Sequence, residues 1–282
     1  MPGFSLLTLN TFGVPFFLSM GRMIRLAAEL ERLQPTIICL QEIQQNVYIP
    51  LLRRYLQHYP HVAYQWGGLA PKGGLLTASD ANCPLVASEF YPFPNRGRML
   101  GIGFADWALH KGILATQVEF EGQQIVALNT HLHANYAGNW QPNNSLAQVQ
   151  RDQVQFLAEL ARAQPAEAVV IVCGDFNFPR QTFLYDEMIA SSGLTDPLAQ
   201  DERPTYRPFP LVPSRWAVSL DFVLYRAPAR EEFAARGDII PVEDTAARLP
   251  FRRFLTDHCA LTLDLSWRNT SAQESRDGGP VQ

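Results

Sequence analysis

The stretch AVVIVCGDFN, residues 168–177, begins as an unbroken apolar run and ends in an acid and an amide. Such a run, rich in β-branched residues, predicts a strand that is buried on both faces. Asp175 and Asn177 follow the run directly. Buried polar groups cost free energy unless they are paired, so polar residues at this point need a reason. The stretch therefore predicts a core strand with a functional site at its carboxyl end.

Similar patterns recur along the chain and predict an α/β fold. Buried strands are predicted at 4–10, 36–42, 111–120, 124–132, 219–226 and 258–267, and helical spacing predicts helices within 21–35 and 146–163. Residues 60–105 are rich in Gly, Pro and aromatic residues, which indicates hairpins and loops. Strands separated by helices and mixed with hairpins predict an α/β sandwich, with sheets packed face to face and helices outside. Since no repeat or linker is evident, we expect one domain over 1–267 and a flexible polar tail over 268–282.

Composition limits the classes of function. A formal net charge of −4 gives no overall attraction to nucleic acid. The N-terminus lacks the pattern of a signal peptide, and no apolar run reaches the roughly 18 residues that span a bilayer. The four cysteines show no zinc spacing and are expected to be buried free thiols. We therefore expect a cytoplasmic protein with no transmembrane segment and no obligate protein partner.

Polar side chains stand at the ends of the predicted strands. They are Asn10, Glu42, Asn129 with His131, Asp175 with Asn177, Asp221, and the pair Asp257 and His258 just before the last strand. Carboxylates and amides gathered at one rim can surround a hard cation with oxygen ligands. The same groups, together with imidazoles, can hold a phosphate between hydrogen-bond donors. These residues alone leave both interpretations open.

The order N, QE, THL, GDFN, DFV and DH resembles that of the endonuclease/exonuclease/phosphatase superfamily, over about residues 4–267. The resemblance implies a DNase-I-like four-layer α/β sandwich, in which two packed mixed β-sheets are flanked by helices and the site lies at one edge. Residues 9–26, KGIL at 111–114 and HLHANY at 131–136 are similar to the neutral sphingomyelinase branch. Asn135 departs from that branch, where an acidic residue is commoner.

The resemblance and the residue chemistry together predict metal-assisted hydrolysis of a phosphodiester. Glu42 is the expected direct ligand of Mg²⁺, or of Mn²⁺ or another divalent cation, with Asn10 beside it and Asp257 contributing. His258 is the expected general base, and Asp221 is expected to orient its ring.

The other polar residues are expected to face the phosphate. Asp175 and Asn177 would position the attacking water and the phosphorus centre, and His131 would donate to a phosphate oxygen in the transition state. Lys111 could add a positive charge. Strand alternation places His133 and Asn129 on the same face as His131. Both are therefore candidates for substrate contact, although weaker ones than His131.

Several substrates fit this chemistry. A phospholipid headgroup, as in a sphingomyelinase or phospholipase C, is favoured by the HLHA and N-terminal similarity. The apolar segments 13–17 and 135–140 would then form an apolar border around the site, in peripheral contact with a membrane. The alternatives are a nuclease of endonuclease, exonuclease or abasic-site type, a phosphoesterase for small molecules, and an inactive binding module. The acidic net charge disfavours a nuclease, and the full set of acids and histidines disfavours the inactive module.

Overall fold

A computed structural model describes residues 3–14, 19–97, 109–207, 217–229, 233–248 and 253–267. The predicted tail at 268–282 lies outside the described residues, as do residues 15–17 of the apolar segment 13–17. The strands of the described part are β1 Gly3–Asn10, β2 Ile37–Gln41, β3 His61–Ala63, β4 Leu76–Ser79, β5 Leu85–Pro92, β6 Gly112–Phe120, β7 Gln123–His131, β8 Val169–Asp175, β9 Asp221–Arg226, β10 Phe233–Glu243 and β11 Phe254–Trp267. The helices are α1 Ser19–Leu33, α2 Tyr48–Tyr55, α3 Ser145–Arg162 and α4 Phe183–Ser192, with a short 3-10 turn at Lys72–Gly74.

The strands form two mixed sheets. The six-stranded sheet has the order β10-β11-β1-β2-β4-β3, and the five-stranded sheet has the order β5-β6-β7-β8-β9. Within each sheet one central pair is parallel, β1 with β2 and β7 with β8, and the other pairs are antiparallel. The carboxyl ends of β1 and β2 therefore meet at one edge of the first sheet, and those of β7 and β8 meet at one edge of the second.

The two sheets pack face to face around an apolar layer. Phe4 and Ile37 of the six-stranded sheet contact the same buried cluster as Val118 and Ile171 of the five-stranded sheet. Ring contacts extend this layer, since Phe120 stacks edge-on against both Phe4 and Trp267. All four cysteines are free and buried, as the sequence predicted.

Helices cover the outer faces of both sheets. Met23, Leu26, Ala27 and Leu30 recur at helical spacing on α1 and pack with α2 against the six-stranded sheet. Helix α3 begins where the Asn144 side chain accepts hydrogen bonds from the amides of Leu146 and Ala147, and it packs with α4 against the five-stranded sheet. The order helix, sheet, sheet, helix confirms the predicted four-layer α/β sandwich. Among the described residues, no helix is long and apolar enough to cross a bilayer.

The β6–β7 hairpin shows how sequence sets local structure. Its turn residues, Glu121 and Gly122, have φ of 50° and 78°. Positive φ at both central positions gives a two-residue turn a twist that matches the right-handed twist of the flanking strands. Glycine adopts positive φ without strain. The turn predicted from EGQ is therefore present, and it returns β7 across the sheet to end at His131.

One expectation about strand positions was wrong, and another was incomplete. Strand β11 begins at Phe254, so Asp257 and His258 lie inside it rather than before it. The region 60–105 also contains more regular structure than expected, since β3 and β4 complete one sheet and β5 forms an edge of the other. Strands β3 and β4 have only three and four residues, too few to show a period, and polar residues interrupt the apolar run of β5.

Candidate active site

The strand ends of both sheets meet at one edge of the sandwich, where Asn10 joins them. Its Nδ2 donates to Glu42 Oε1 at 3.1 Å and to Asp175 Oδ2 at 2.9 Å. Asn10 ends β1 and Glu42 follows β2 of one sheet, whereas Asp175 ends β8 of the other. One buried amide therefore connects carboxylates that are far apart in sequence, as the predicted rim requires.

The GDFN sequence allows β8 to approach β7 closely. A Cβ at Gly174 would lie 1.9 Å from the carbonyl oxygen of Thr130, and Gly174 has φ of 139°, so only glycine fits. Asp175 Oδ1 then accepts from the Asn177 amide at 2.9 Å, which holds the turn after the strand. Asn177 itself has φ of 55°, a left-handed conformation that asparagine tolerates better than most residues.

His258 and Asp221 form a buried pair. His258 Nδ1 lies 2.8 Å from Asp221 Oδ2, and because an ionised carboxylate only accepts, the proton of this bond belongs to the ring. Burial opposes charging of the ring, but the carboxylates of Asp221 and Asp175 raise the pKa of His258 well above its usual value. The pair thus has the geometry of an imidazole that is oriented by an acid.

Asp175 lies between this pair and the rest of the rim. Its Oδ2 is 3.8 Å from His258 Nε2 and 3.5 Å from His131 Nε2. Burial raises the pKa of Asp175 to about 7, while the positive charge of His258 and the hydrogen bond from Asn10 oppose the shift. The structure therefore brings His131, Asp175 and His258 together, as the sequence predicted.

Lys111 and Asn177 converge on a single peptide group. Lys111 Nζ donates to the carbonyl oxygen of Leu132 at 2.7 Å, and Asn177 Nδ2 donates to the same oxygen at 3.0 Å. Lys111 is buried, and its charge lowers the pKa of both Glu42 and Asp175 against the effect of burial. It is therefore close enough to act on the rim electrostatically, although its ammonium group also fixes the segment after His131.

The oxygen-rich side of the rim fits a hard cation. Burial, followed by the charge of Asp257, raises the pKa of Glu42, and burial also raises the pKa of Asp257. Asp257 Oδ1 is buried and accepts no hydrogen bond. Two nearby carboxylates that disfavour each other's ionisation, with an oxygen left without a donor, are what a divalent cation would relieve. Glu42, Asp257 and Asn10 are therefore the residues that fit a metal ion.

A second group of possible ligands overlaps the rim. Asp175, Asp221 and His258 each offer an atom within 4.8 Å of the others, which is close enough for a metal ion. The hydrogen bond between His258 Nδ1 and Asp221 accounts for much of this closeness. The closeness of these three residues is therefore accounted for by the His258–Asp221 pair as well as by a metal site.

Two weaker candidates lie outside the reactive rim. Asn129 is fully buried between the sheets, where its oxygen accepts from Gln41 Nε2 at 2.7 Å and its nitrogen donates to the carbonyls of Leu40 and Leu76 at 3.1 Å each. It thus joins the sheets, and its burial between them keeps it from contact with a substrate. Strand alternation correctly predicted the face of β7 on which Asn129 lies, but it did not predict that Asn129 is buried between the sheets.

His133 also differs from expectation. Strand β7 ends at His131, so alternation does not extend to His133. Its backbone is held instead by helix α3, where Gln153 Oε1 accepts from the His133 amide and Gln150 Nε2 donates to the His133 carbonyl, both at 2.9 Å. The buried ring packs against Gly97, where a Cβ would lie 3.0 Å from His133 Nε2. The structure therefore places His133 against helix α3 and Gly97.

Sequence patterns missed two residues near His258. Thr205 donates from Oγ1 to Asp221 Oδ2 at 2.5 Å, and the Tyr206 ring lies 5.3 Å from the His258 ring, centroid to centroid. Both stand in a polar, proline-containing loop segment with no periodicity, so only the folded chain shows their position.

A protein-family model matches most of the chain. Residues 7–258 match the model of the Endonuclease/Exonuclease/phosphatase family. The chain belongs to this family. The match begins in β1 and ends at His258, so it includes every residue of the rim and confirms the resemblance inferred from the motifs.

Two curated proteins are similar in sequence to this chain. It is 27% identical over 201 residues to the Drosophila melanogaster protein named "Putative neutral sphingomyelinase", a match covering 70% of this chain and 44% of that protein. It is 27% identical over 206 residues to the inositol phosphosphingolipids phospholipase C of Schizosaccharomyces pombe, covering 69% and 46%. The chain spans less than half the length of these relatives.

Solved structures of other proteins share the fold. The D. rerio TDP2 structure complexed with single-strand DNA product has a TM-score of 0.70 at 19% identity and covers 94% of this chain and 99% of that one. Sphingomyelinase C from Streptomyces griseocarneus has a TM-score of 0.69 at 20% identity, with the same coverage. Both neighbours support the α/β sandwich, and at these identities they do not distinguish a lipid from a nucleic acid substrate.

Proposed function

We propose that this protein is a divalent-metal-dependent phosphodiester hydrolase. The observation that carries the proposal is the placement of the His258–Asp221 pair beside the carboxylates of Glu42 and Asp257 and the side-chain amide of Asn10. The first arrangement suits a general base, and the second suits a hard cation. Family membership supports the same reaction class.

In this proposal His258 takes the proton from the attacking water at Nε2. Asp221 keeps the Nδ1 proton in place and stabilises the imidazolium that results. The carboxylates that raise the pKa of the ring also increase its affinity for that proton. Asp175 Oδ2, 3.8 Å from Nε2, is placed to orient the same water.

Donors on the other sheet would face the phosphate. His131 ends β7 beside Asp175 and would donate to a phosphate oxygen as charge develops. Asn177 follows the next strand, and Lys111 adds a buried positive charge. Glu42, Asn10 and Asp257 would hold Mg²⁺, with Mn²⁺ as the alternative, and the bound cation would neutralise phosphate charge.

We propose a phospholipid headgroup as the substrate, as in a sphingomyelinase or phospholipase C. The names of both curated relatives support this choice. Exposed apolar residues support it as well, since Val47 is 47% exposed, Trp66 60% and Leu69 91%. These three stand in segments that follow β2 and β3, whose carboxyl ends lie at the rim, and Asn46 joins the segments by donating to the carbonyls of Gly67 and Leu69.

Among the described residues, two further exposed apolar side chains also lie near the rim, and one lies far from it. Met20 follows β1 and Tyr136 follows β7, so both also lie beyond strand ends that form the rim. Val86 lies near the opposite end of the five-stranded sheet, because Leu85 pairs with Val118 whereas Pro92 pairs with Gly112. An apolar border around a phosphodiester site fits peripheral contact with a lipid surface.

A nuclease is the second candidate, because the TDP2 neighbour was solved with a DNA product. The formal net charge of −4 disfavours tracking along a nucleic acid backbone. A small phosphoester would need no apolar border, and an inactive module would need none of the acid–base geometry.

We further propose that residues 1–267 form one catalytic domain in the cytoplasm. Support for a single domain comes from pairing of the first described strand with the last, since Gly3 pairs with Ser266. The four free thiols suit a reducing compartment.

The proposed function is tested with a panel of substrates in Mg²⁺. Purified protein is offered sphingomyelin, a lysophospholipid, single- and double-stranded DNA and a soluble chromogenic phosphodiester, with EDTA as the metal control. We expect hydrolysis of the lipids and the chromogenic diester, a loss of about 10²–10⁴-fold in kcat in His258→Ala, and full activity in the exposed-site control His58→Ala. DNA cleavage without lipid turnover would favour the nuclease, and full activity in EDTA would refute the metal assignment.

A further inference from the structure

The two members of the acid–base pair come from different sheets. Asp221 begins β9 of the five-stranded sheet, and His258 lies in β11 of the six-stranded sheet. Their side chains nevertheless meet at 2.8 Å. Because the sheets face each other through apolar side chains, and apolar packing is not directional, something else must set the register of this pair.

A short chain segment, residues 205–207, connects these two strands. We call it the bridging segment. On one side the amides of Thr205 and Tyr206 donate to the Val218 carbonyl at 3.2 and 2.8 Å, just before β9. On the other side its Arg207 amide donates to the Asp257 carbonyl at 2.6 Å, and its Thr205 carbonyl accepts from the Cys259 amide at 2.7 Å. Hydrogen bonds to both neighbours of His258 therefore pass through this segment.

Thr205 adds a side-chain connection to the backbone ones. Its hydroxyl accepts from the amides of Leu220 and Asp221 at 2.9 and 3.0 Å and donates to Asp221 Oδ2 at 2.5 Å. A hydroxyl has one donor and two acceptor positions, so all of its capacity is used and its rotamer is fixed. Thr205 is fully buried, so water cannot replace these bonds without opening the structure.

We propose that Thr205 is a positioning residue that holds the Asp221 carboxylate toward His258. The carboxylate oxygen that accepts from Thr205 also accepts from His258 Nδ1, so the hydroxyl and the ring constrain the same atom. Loss of the hydroxyl removes one of the two bonds that hold this carboxylate oxygen, and it takes from two buried amides the acceptor that Thr205 provides. This role rests on the proposed function, since it gives Thr205 its effect through His258.

The test compares Thr205→Val, which keeps the shape, with Thr205→Ser, which keeps the hydroxyl. On the soluble phosphodiester with Mg²⁺, we expect Thr205→Val to lower kcat by about 10–100-fold with little change in KM, as is usual when an orienting partner is lost. Thr205→Ser should recover most of the activity. Thr116→Val is the matched control, because Thr116 is a buried threonine in β6 whose Oγ1 makes no hydrogen bond.

A second measurement does not depend on turnover. The Nδ1 proton of His258 should give a resolved downfield proton NMR signal in the wild type and in Thr205→Ser, assigned by its absence in His258→Asn, and this signal should be lost in Thr205→Val. Thr205→Ala replaces the valine variant if the latter does not fold cooperatively. If the wild type hydrolyses no phosphodiester, the proposed function fails while the NMR comparison still decides the role of Thr205. Unchanged kcat and signal in the variants without the hydroxyl, or equal losses in Thr205→Ser and Thr205→Val, would overturn the proposal.

Discussion

Asn129 offers a test of how the two sheets are held in register. We expect Asn129→Leu, which keeps the branched shape and removes the polar atoms, to destabilise the protein without abolishing substrate binding. Three hydrogen bonds disappear, namely those to Gln41 Nε2 and to the carbonyls of Leu40 and Leu76. At about 1 kcal/mol net for each bond, the free energy of unfolding should fall by about 3 kcal/mol.

The remaining contacts of Gln41 limit this loss. Gln41 Nε2 also donates to Thr8 Oγ1 at 3.0 Å and to the Cys39 carbonyl at 3.2 Å, so its donor is not left unpaired. For a domain of this size a loss of about 3 kcal/mol corresponds to a decrease in Tm of about 6 °C.

The assay is urea unfolding followed by far-ultraviolet circular dichroism, together with KM on the soluble diester. Asn143→Leu makes the same change at an exposed residue and should leave both quantities unchanged. If Asn129→Leu kept the wild-type stability but raised KM severalfold, Asn129 would be a substrate contact after all, and its assignment to the sheet interface would be refuted.

Other predictions follow from burial and charge. In EDTA, Tm should fall as the pH rises from about 5 to about 7. Burial raises the pKa of Asp175 from its ordinary 3.8 to about 7. Over this pH range the folded state therefore binds a proton that the unfolded chain has lost, so the folded state loses stability as the pH rises. Mg²⁺ should raise Tm more at the upper end of this range, and an equal increase at both pH values would contradict the placement of a cation beside ionised carboxylates. Burial raises the pKa of Cys83 to about 12, and all four thiols are buried, so a disulfide reagent at about pH 8 should label the native protein negligibly and all four thiols after denaturation. Trp66→Ala should reduce cosedimentation with sphingomyelin vesicles severalfold and leave kcat/KM on the soluble diester unchanged, whereas unchanged cosedimentation would remove the apolar border from the lipid proposal.

The parts of the fold that could be predicted from sequence are those in which local pattern and tertiary environment agree. Strand β8 is buried along its whole length, and its apolar run showed this directly. Helix α4, Phe183–Ser192, lacks an amphipathic period, so no pattern marked it. Strand β10 contains Gly237 and Pro241, two residues that usually argue against a strand, yet it is the edge strand of its sheet and its pairing shifts after Pro241.

Prediction of the site had a comparable limit. Residues at the strand ends could be named because the end of an apolar run is visible in the sequence. Alternation also placed Asn129 and His131 on one face, but it could not show that Asn129 lies between the sheets while His131 reaches the rim. The role of Thr205 depends on hydrogen bonds across 16 positions of chain to Asp221, which no local pattern contains.

The joining of the two sheets at Asn10 has a consequence for how such a protein would lose activity. One sheet carries the candidate cation ligands and the base, and the other carries the groups that would face the phosphate. A sliding of the sheets by a fraction of an ångström would change the distance between base and phosphorus while leaving every strand intact. Catalytic rate is therefore a more sensitive measure of the spacing between the sheets than any spectroscopic signal of secondary structure.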